Sequence, residues 1–349
     1  MLSMKCQEQK VSIDLSDERL SMITWGKSRM GKTFFASLYV NYLLRMGNIA
    51  HLIDLGDKWS ISDKQRSGIL KTVKGNEIFY FRDTKSLLES AKYFSNALGY
   101  RSTEITRIIR NIMKKLLERN NDRFSFKELL DELEASSDSN KSASTVYESL
   151  SVFGEPPDIL VCVDELQAEK MADTSTIWDL VCMPSDYAKI LAQMILCSLL
   201  EVQRARFRND VTAHKIFVVI DEFQNLDMDR RSILGVCLAE SQKYKLYPIL
   251  ITQFIGKTFS ETTIRQLMQA GLKVCFRLEG DEARYASRLF AYNETERKML
   301  EKKIHQLGRG ECFFIGPHRV GTNVSEKLRL LKIEDVDNSK KLVILNQKK

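Results

Sequence analysis

With 349 residues, 44% hydrophobic and 28% charged, the chain is long enough for one α/β domain with an insertion or for two modest domains, and its balance is that of a soluble globular protein. Its longest apolar runs, around 159–163, 216–220 and 247–251, fall far short of the roughly 18 residues that cross a bilayer, and Lys5, Glu8 and Lys10 interrupt any secretory apolar core at the start. The net charge of +7 permits contact with nucleic acid without demonstrating it.

Val11–Leu15 reads as a short strand, and Ser21–Trp25 as a second. The second runs into Gly26-Lys27-Ser28-Arg29-Met30-Gly31-Lys32-Thr33, which satisfies G-x-x-x-x-G-K-[ST], the phosphate-cradling P-loop. A helical stripe follows, Phe34, Phe35, Leu38, Tyr39, Tyr42, Leu43 and Met46, with Gly47 as its stop. Strand, glycine loop and helix is the order a phosphate site requires. Backbone N–H groups from Gly26 to Phe34 are expected to surround phosphate oxygens, helped by the dipole of the helix N-terminus. Lys32 is expected to reach the β and γ phosphates and the Thr33 hydroxyl to ligate Mg²⁺, so ATP and Mg²⁺ are the implied ligands.

Further strands are expected at Ile49–Leu55 and Ile78–Phe81. The pattern then turns helical. Thr103–Glu118 carries Ile105, Ile108, Ile109, Ile112, Met113, Leu116 and Leu117 on one face and Arg107, Arg110, Lys114 and Lys115 on the other. That basic face is either a solvated surface or a DNA or partner contact. Phe126–Leu133 and Tyr147–Phe153 read as helical segments flanking a polar, serine-rich loop at Ser136–Ser144. The α/β pattern resumes with a buried-type strand, Asp158–Asp164, a long helix, Asp186–Arg208, and a second buried strand, Lys215–Glu222. A helix at Asp229–Tyr244 and a strand at Tyr247–Thr252, ending at Gln253, complete it. Near-continuous apolar strands between helices imply an α/β fold with a mostly parallel central sheet covered on both faces. The expected organisation is a first part of the core over 1–84, a helical insertion over 85–155, the rest of the core over 156–330 and a basic tail over 331–349.

The seven cysteines are scattered without a C-x-x-C pair and the four histidines stand apart, so neither a zinc site nor a disulfide frame is expected; reduced thiols and a cytoplasmic location are. Two Asp-Glu pairs follow apolar strands, Asp164-Glu165 and Asp221-Glu222. Hydrolysis of a nucleotide needs a carboxylate beside the Mg²⁺ and a base for the attacking water. Asp221-Glu222 is the pair expected to supply them, because a helix and then an apolar strand ending in the polar Gln253 come after it. No polar strand end is expected between Glu165 and the helix at 186.

With these pieces in place the chain resembles the HerA/FtsK superfamily of P-loop ATPases. The resemblance runs over most of the length: Val11–Leu15, the P-loop, Ile53-Asp54-Leu55-Gly56-Asp57, Val218–Gln224, Ile251-Thr252-Gln253, Lys273–Leu278 with Gly280-Asp281-Glu282-Ala283, and Leu307–Phe313. It implies a RecA-like P-loop NTPase fold of the additional-strand type. It also implies a hexameric ring that acts on double-stranded DNA at the expense of ATP. In it Asp221 joins Thr33 on the metal, Glu222 activates water, and Gln253 senses the γ-phosphate. Where the family often has Gly-Arg-Lys before the Thr-Gln strand, this chain has Ser241-Gln242-Lys243-Tyr244, so the cation that completes a neighbour's site is sought at Arg309 and Arg277, ahead of Arg288 and Lys243. Arg29-Met30 also departs from the small residues common in the loop. The alternative is a nucleotide-dependent oligomeric scaffold that positions a partner nuclease or other effector. A guanine-selecting Asn/Thr-Lys-x-Asp is absent, and a Glu beside Asp221 favours water over a substrate hydroxyl, so a GTPase switch and a small-molecule kinase fit less well.

Overall fold

A computed structural model of the chain describes residues 11–14, 16–55, 71–74, 79–81, 87–121, 123–151, 160–162, 165–181, 183–211, 213–228, 232–256, 258–291, 293–320, 323–336 and 339–344. The chain divides into two compact units. One comprises residues 1–46, 221–224 and 247–349, and the other 47–220 and 225–246.

The first unit is built on the strand Met22–Trp25, wholly buried, with Leu246–Thr252 parallel on one side and Leu272–Cys275 parallel on the other. Register sets both Thr252 and Cys275 opposite Trp25, so three strands end together at the P-loop. Beyond Leu272–Cys275 the sheet turns antiparallel through Glu311–Ile315, Arg329–Val336 and Ser339–Ile344. The helix Lys32–Arg45 lays Phe35 against the rings of Phe276 and Phe314, while Trp25 stacks on Phe290. A small sheet of Val11–Ile13, His318–Val320 and Asn323–Ser325 completes the unit. The stretch expected as a basic tail at 331–349 therefore contains strand: Lys340 and Lys341 lie in register with Asp335 and Glu334 of the preceding strand. Its dense lysines hide the alternation of Leu331 with Ile333.

In the second unit Ile216–Ile220, Ile49–Asp54, Thr176–Asp179 and Lys71–Lys74 are all parallel, in that order. Thr176–Asp179 corrects the expectation that no polar strand end lies between 165 and 186; four residues are too few to show a period. The strand Leu160–Cys162, within the expected 158–164, joins a separate sheet with Phe79–Phe81 and Arg123–Ser125. Asp164 lies outside the described residues, and Glu165 opens the helix Glu165–Ala172.

Four helices, Leu87–Ala97, Thr103–Arg119, Phe126–Ser137 and Lys141–Ser151, fill the region expected to be helical. All seven apolar residues of the Thr103–Arg119 stripe are buried, and Ser102 caps its start. The serine-rich loop is a correction, because only 138–140 separate two helices. Ser136 and Ser137 donate back to the carbonyls of Glu132 and Glu134, at 2.7 and 2.6 Å, and Asn140 accepts from the N–H groups of Ser142 and Ala143. Serine and asparagine here end one helix and start the next, which a compositional reading takes for a loop. The long helix Ser185–Arg208 is buried along most of its length. Among the described residues, no helix is long and apolar enough to cross a membrane.

Candidate functional site

The first unit brings the P-loop, Asp221, Glu222 and Gln253 into one hydrogen-bonded group. Two backbone constraints shape the loop. Gly26 has φ 151°, and a Cβ there would meet the Phe276 Cβ at 2.6 Å; Gly31 has φ 114°, and a Cβ would come within 3.2 Å of the Phe276 ring. Phe276 is held in place because its N–H donates to the Trp25 carbonyl at 2.9 Å. Arg29 adopts φ 62°, a left-handed conformation in which a side chain costs on the order of 1 kcal/mol, and this gives the departure from small loop residues a physical cost.

The helix Lys32–Arg45 begins inside the loop, with Gly31 at its N-cap, so its first N–H groups are oriented toward the loop concavity. The Lys32 ammonium is buried and donates to the Lys27 carbonyl at 3.2 Å. Burial pushes its pKa down, against the opposing pull of Asp221 and Glu222. The Thr33 hydroxyl donates to Asp221 Oδ2 at 2.8 Å. Burial is also the main cause of a raised pKa at Asp221; the Thr33 bond opposes it and the Glu222 charge adds to it.

Glu222 sits at φ 53°, a left-handed conformation for a residue with a side chain. Its own N–H donates to Asp221 Oδ1 at 2.9 Å. Its carboxylate accepts from the Gln253 amide at 2.8 Å on one oxygen and from the Gln224 amide on the other. The turn beyond Gln253 is braced by Glu282, whose Oε2 accepts from the N–H groups of Ile255 and Gly256 at 2.8 and 2.9 Å.

Arg277 and Arg309 both flank the P-loop. The Lys27 N–H donates to the Arg277 carbonyl at 2.8 Å, and the Gly310 N–H to the Met30 carbonyl at 3.0 Å. The Arg277 guanidinium and the Lys27 ammonium share Glu279, at 3.3 and 2.8 Å. Arg309 and Arg288 are exposed. Lys243 belongs to the second unit, where its ammonium lies over the rings of Phe207 and Tyr244. Ser28 and Met30 line the outer loop and Phe34 the first helical turn. Gln224, Phe276 and Glu282 were not singled out from the sequence as site residues. Only Gln224, two positions after the chosen pair, lay close enough to be signalled.

The oxygen donors present fit Mg²⁺: a hydroxyl and a carboxylate 2.8 Å apart are hard ligands. Among the described residues there is no group of three His, Cys, Asp or Glu that could hold a metal ion.

No protein-family model matches the chain, and no curated protein matches it. Solved structures do. VirB4 of Thermoanaerobacter pseudethanolicus superposes with a TM-score of 0.61 at 14% identity, over 91% of this chain and 90% of that one. The bacterial conjugative coupling protein TrwBΔN70 gives 0.64 at 14%, over 94% and 88%. TrwB in complex with the non-hydrolysable ATP analogue ADPNP gives 0.58 at 13%, over 98% and 90%. At such identities it is the fold that is shared, and the chain has the P-loop NTPase fold of VirB4 and TrwB.

Proposed function

We propose that the chain is an ATP-hydrolysing motor of the HerA/FtsK type, working on double-stranded DNA as a homo-oligomeric, hexameric ring. The observation that carries the reading is the joining of three sequence-distant pieces: Thr33 on Asp221 at 2.8 Å and Gln253 on Glu222 at 2.8 Å, at the end of the P-loop. TrwB, of the same fold, is named a coupling protein and has been crystallised with an ATP analogue and with a GTP analogue, which supports a nucleoside triphosphate as the ligand.

Gly26 to Phe34 would wrap the phosphates with backbone N–H groups, and Lys32 would bridge the β and γ phosphates. Thr33 and Asp221 would hold Mg²⁺, which when bound supplies neutralisation of phosphate charge. Glu222 would take a proton from the attacking water, and Gln253 would link that carboxylate to the γ-phosphate. Glu222 has the position for this role, at the end of the same turn as the metal-holding carboxylate. Pairing Glu222→Gln with Glu165→Gln tests the assignment. The first is expected to bind ATP without turning it over and the second to hydrolyse at the wild-type rate; the reverse would overturn it.

Arg277 and Arg309 are better assigned to the nucleotide of their own subunit than to a neighbour's. In a head-to-tail ring the two sides of each interface are different surfaces; Arg277 is tied by a backbone hydrogen bond to its own P-loop, and Arg309 precedes Gly310, which is tied to it likewise. The partner reading remains a nuclease or other effector positioned by the ring.

A further inference from the structure

We propose that the Arg29 guanidinium binds the terminal phosphates of the nucleotide in its own subunit and stabilises the charge that moves during hydrolysis, an inference that rests on the ATPase reading above. Arg29 lies in the loop between Gly26 and Gly31, at φ 62°. Left-handed residues in such a loop turn successive N–H groups toward one point and form a concavity for an anion. Gly31, also left-handed, meets that demand without a side chain. Glycine at position 29 would do the same with no steric conflict, whereas arginine does it at a conformational cost. The backbone work of the loop therefore leaves the arginine side chain unexplained.

Among the described residues nothing holds that side chain. Of the loop's cations, Lys27 is taken up by Glu279 at 2.8 Å and Lys32 donates to the Lys27 carbonyl at 3.2 Å. Glu279 also takes the nearby Arg277, at 3.3 Å. Arg29 is exposed, and its guanidinium makes no hydrogen bond or ion pair among the described residues. The partner that fits is the anion the loop itself would bind. The side chain springs from the atom next to one of the N–H groups expected to face phosphate, and it is long enough to fold back onto the same oxygens. Its planar fork of donors matches two oxygens of one phosphate or one oxygen on each of two neighbours. In hydrolysis the water oxygen bonds to the γ-phosphorus, and the bond from that phosphorus to the β–γ bridging oxygen breaks. The electron pair of the broken bond leaves on ADP, and the water proton passes to Glu222. Arg29 exchanges no proton; it neutralises charge on the transferring group and the leaving diphosphate. Because it touches the γ-phosphate, it also separates ATP from ADP.

The test compares the wild-type chain, Arg29→Gly, Arg29→Lys and Lys32→Ala, all without DNA. It measures kcat for ATP, the Kd values of fluorescent non-hydrolysable ATP and ADP analogues, and the unfolding temperature. Arg29→Gly is expected to lower kcat by on the order of tenfold to a hundredfold and to shrink the preference for the ATP analogue over the ADP analogue. Its unfolding temperature is expected to stay level or rise, because relief of the left-handed strain offsets the greater freedom of glycine in the unfolded chain. Arg29→Lys keeps the charge and loses the fork, and is expected to fall between Arg29→Gly and the wild type. A kcat within threefold of wild type with the ATP preference unchanged would overturn the proposal. So would a loss of activity that tracks a fall in unfolding temperature, which marks a structural role. Mixing Arg29→Gly with Lys32→Ala is expected to restore nothing, since each change cripples the site of its own subunit; recovery would move Arg29 to a neighbour's nucleotide and overturn the proposal. Lys32→Ala alone separates the two levels. If it hydrolyses like the wild type, the ATPase reading itself fails, whereas a dead Lys32→Ala beside a fully active Arg29→Gly sinks only the role of Arg29.

Discussion

Burial makes the charged form of both Lys32 and Asp221 costly. Burial lowers the one pKa and raises the other, so their signs can be worked through. A lysine with a depressed folded pKa contributes stability above its unfolded value of 10.5 that is lost as pH falls through the folded one. An aspartate with a raised folded pKa contributes stability below its unfolded value of 3.8 that is lost as pH rises through the folded one. The counter-charges that relieve these costs are phosphate for Lys32 and a cation for Asp221. Magnesium and ATP together are therefore expected to raise the unfolding temperature of the wild type, and to leave that of Lys32→Ala where it was. Calorimetry of the two proteins checks this, and an equal rise in both would place the nucleotide elsewhere. At this scale the P-loop residues, Asp221, Glu222 and Gln253 were legible in the sequence because each sits in a short local pattern. Gln224 and Glu282 were not, because their roles depend on where an amide points and on a loop 26 residues away.

Single elements show how the site is held and where sequence patterns lose information. Glu282, in the first turn of the helix Gly280–Phe290, ties down the turn that follows Gln253. Glu282→Gln keeps the shape and weakens two charge-assisted bonds. It is expected to cost about 1–2 kcal/mol in denaturant unfolding and to lower kcat several-fold at unchanged KM. A change in KM alone would contradict a role through Gln253. In the other unit His51, on the strand Ile49–Asp54, lies fully buried and ring-stacked with Trp178 of the neighbouring strand Thr176–Asp179. Its Nδ1 accepts from the Trp178 indole at 3.3 Å and its Nε2 donates to the Ala172 carbonyl at 3.0 Å. Burial pushes its pKa down from 6.5 to about 4, so its contribution is complete above 6.5 and is lost as pH falls toward 4. Between pH 7 and 5 this one residue is expected to remove about 2 kcal/mol of stability, and His51→Asn to flatten that part of the profile. The long amphipathic helix Thr103–Arg119 was legible to within a residue, since seventeen residues repeat the period often enough to be read. Thr176–Asp179 was not, for four residues carry no period at all.

At the scale of the molecule, the parallel strands that carry the P-loop and Gln253 form the same unit as the late segments Leu272–Cys275 and Glu311–Ile315. The late segments thereby support the nucleotide loop, since Phe276 backs it and Gly310 bonds to it. The sequence anticipated both segments from family likeness, while the strand pair at its end was hidden behind lysines. Exposed Arg107, Arg110 and Lys114 form a basic stripe on the helix Thr103–Arg119, the face on which a phosphate backbone would be met with steep salt dependence and little sequence preference. A motor must couple such a contact to its chemistry. The measurement that bears most directly on this is the steady-state release of phosphate from ATP, on a sample whose mass is known from light scattering, with and without double-stranded DNA. The account predicts hydrolysis that disappears in Glu222→Gln and rises several-fold in the wild type when DNA is added. Hydrolysis by an assembled ring that DNA leaves unchanged, or a wild-type rate no higher than that of Glu222→Gln, would contradict it.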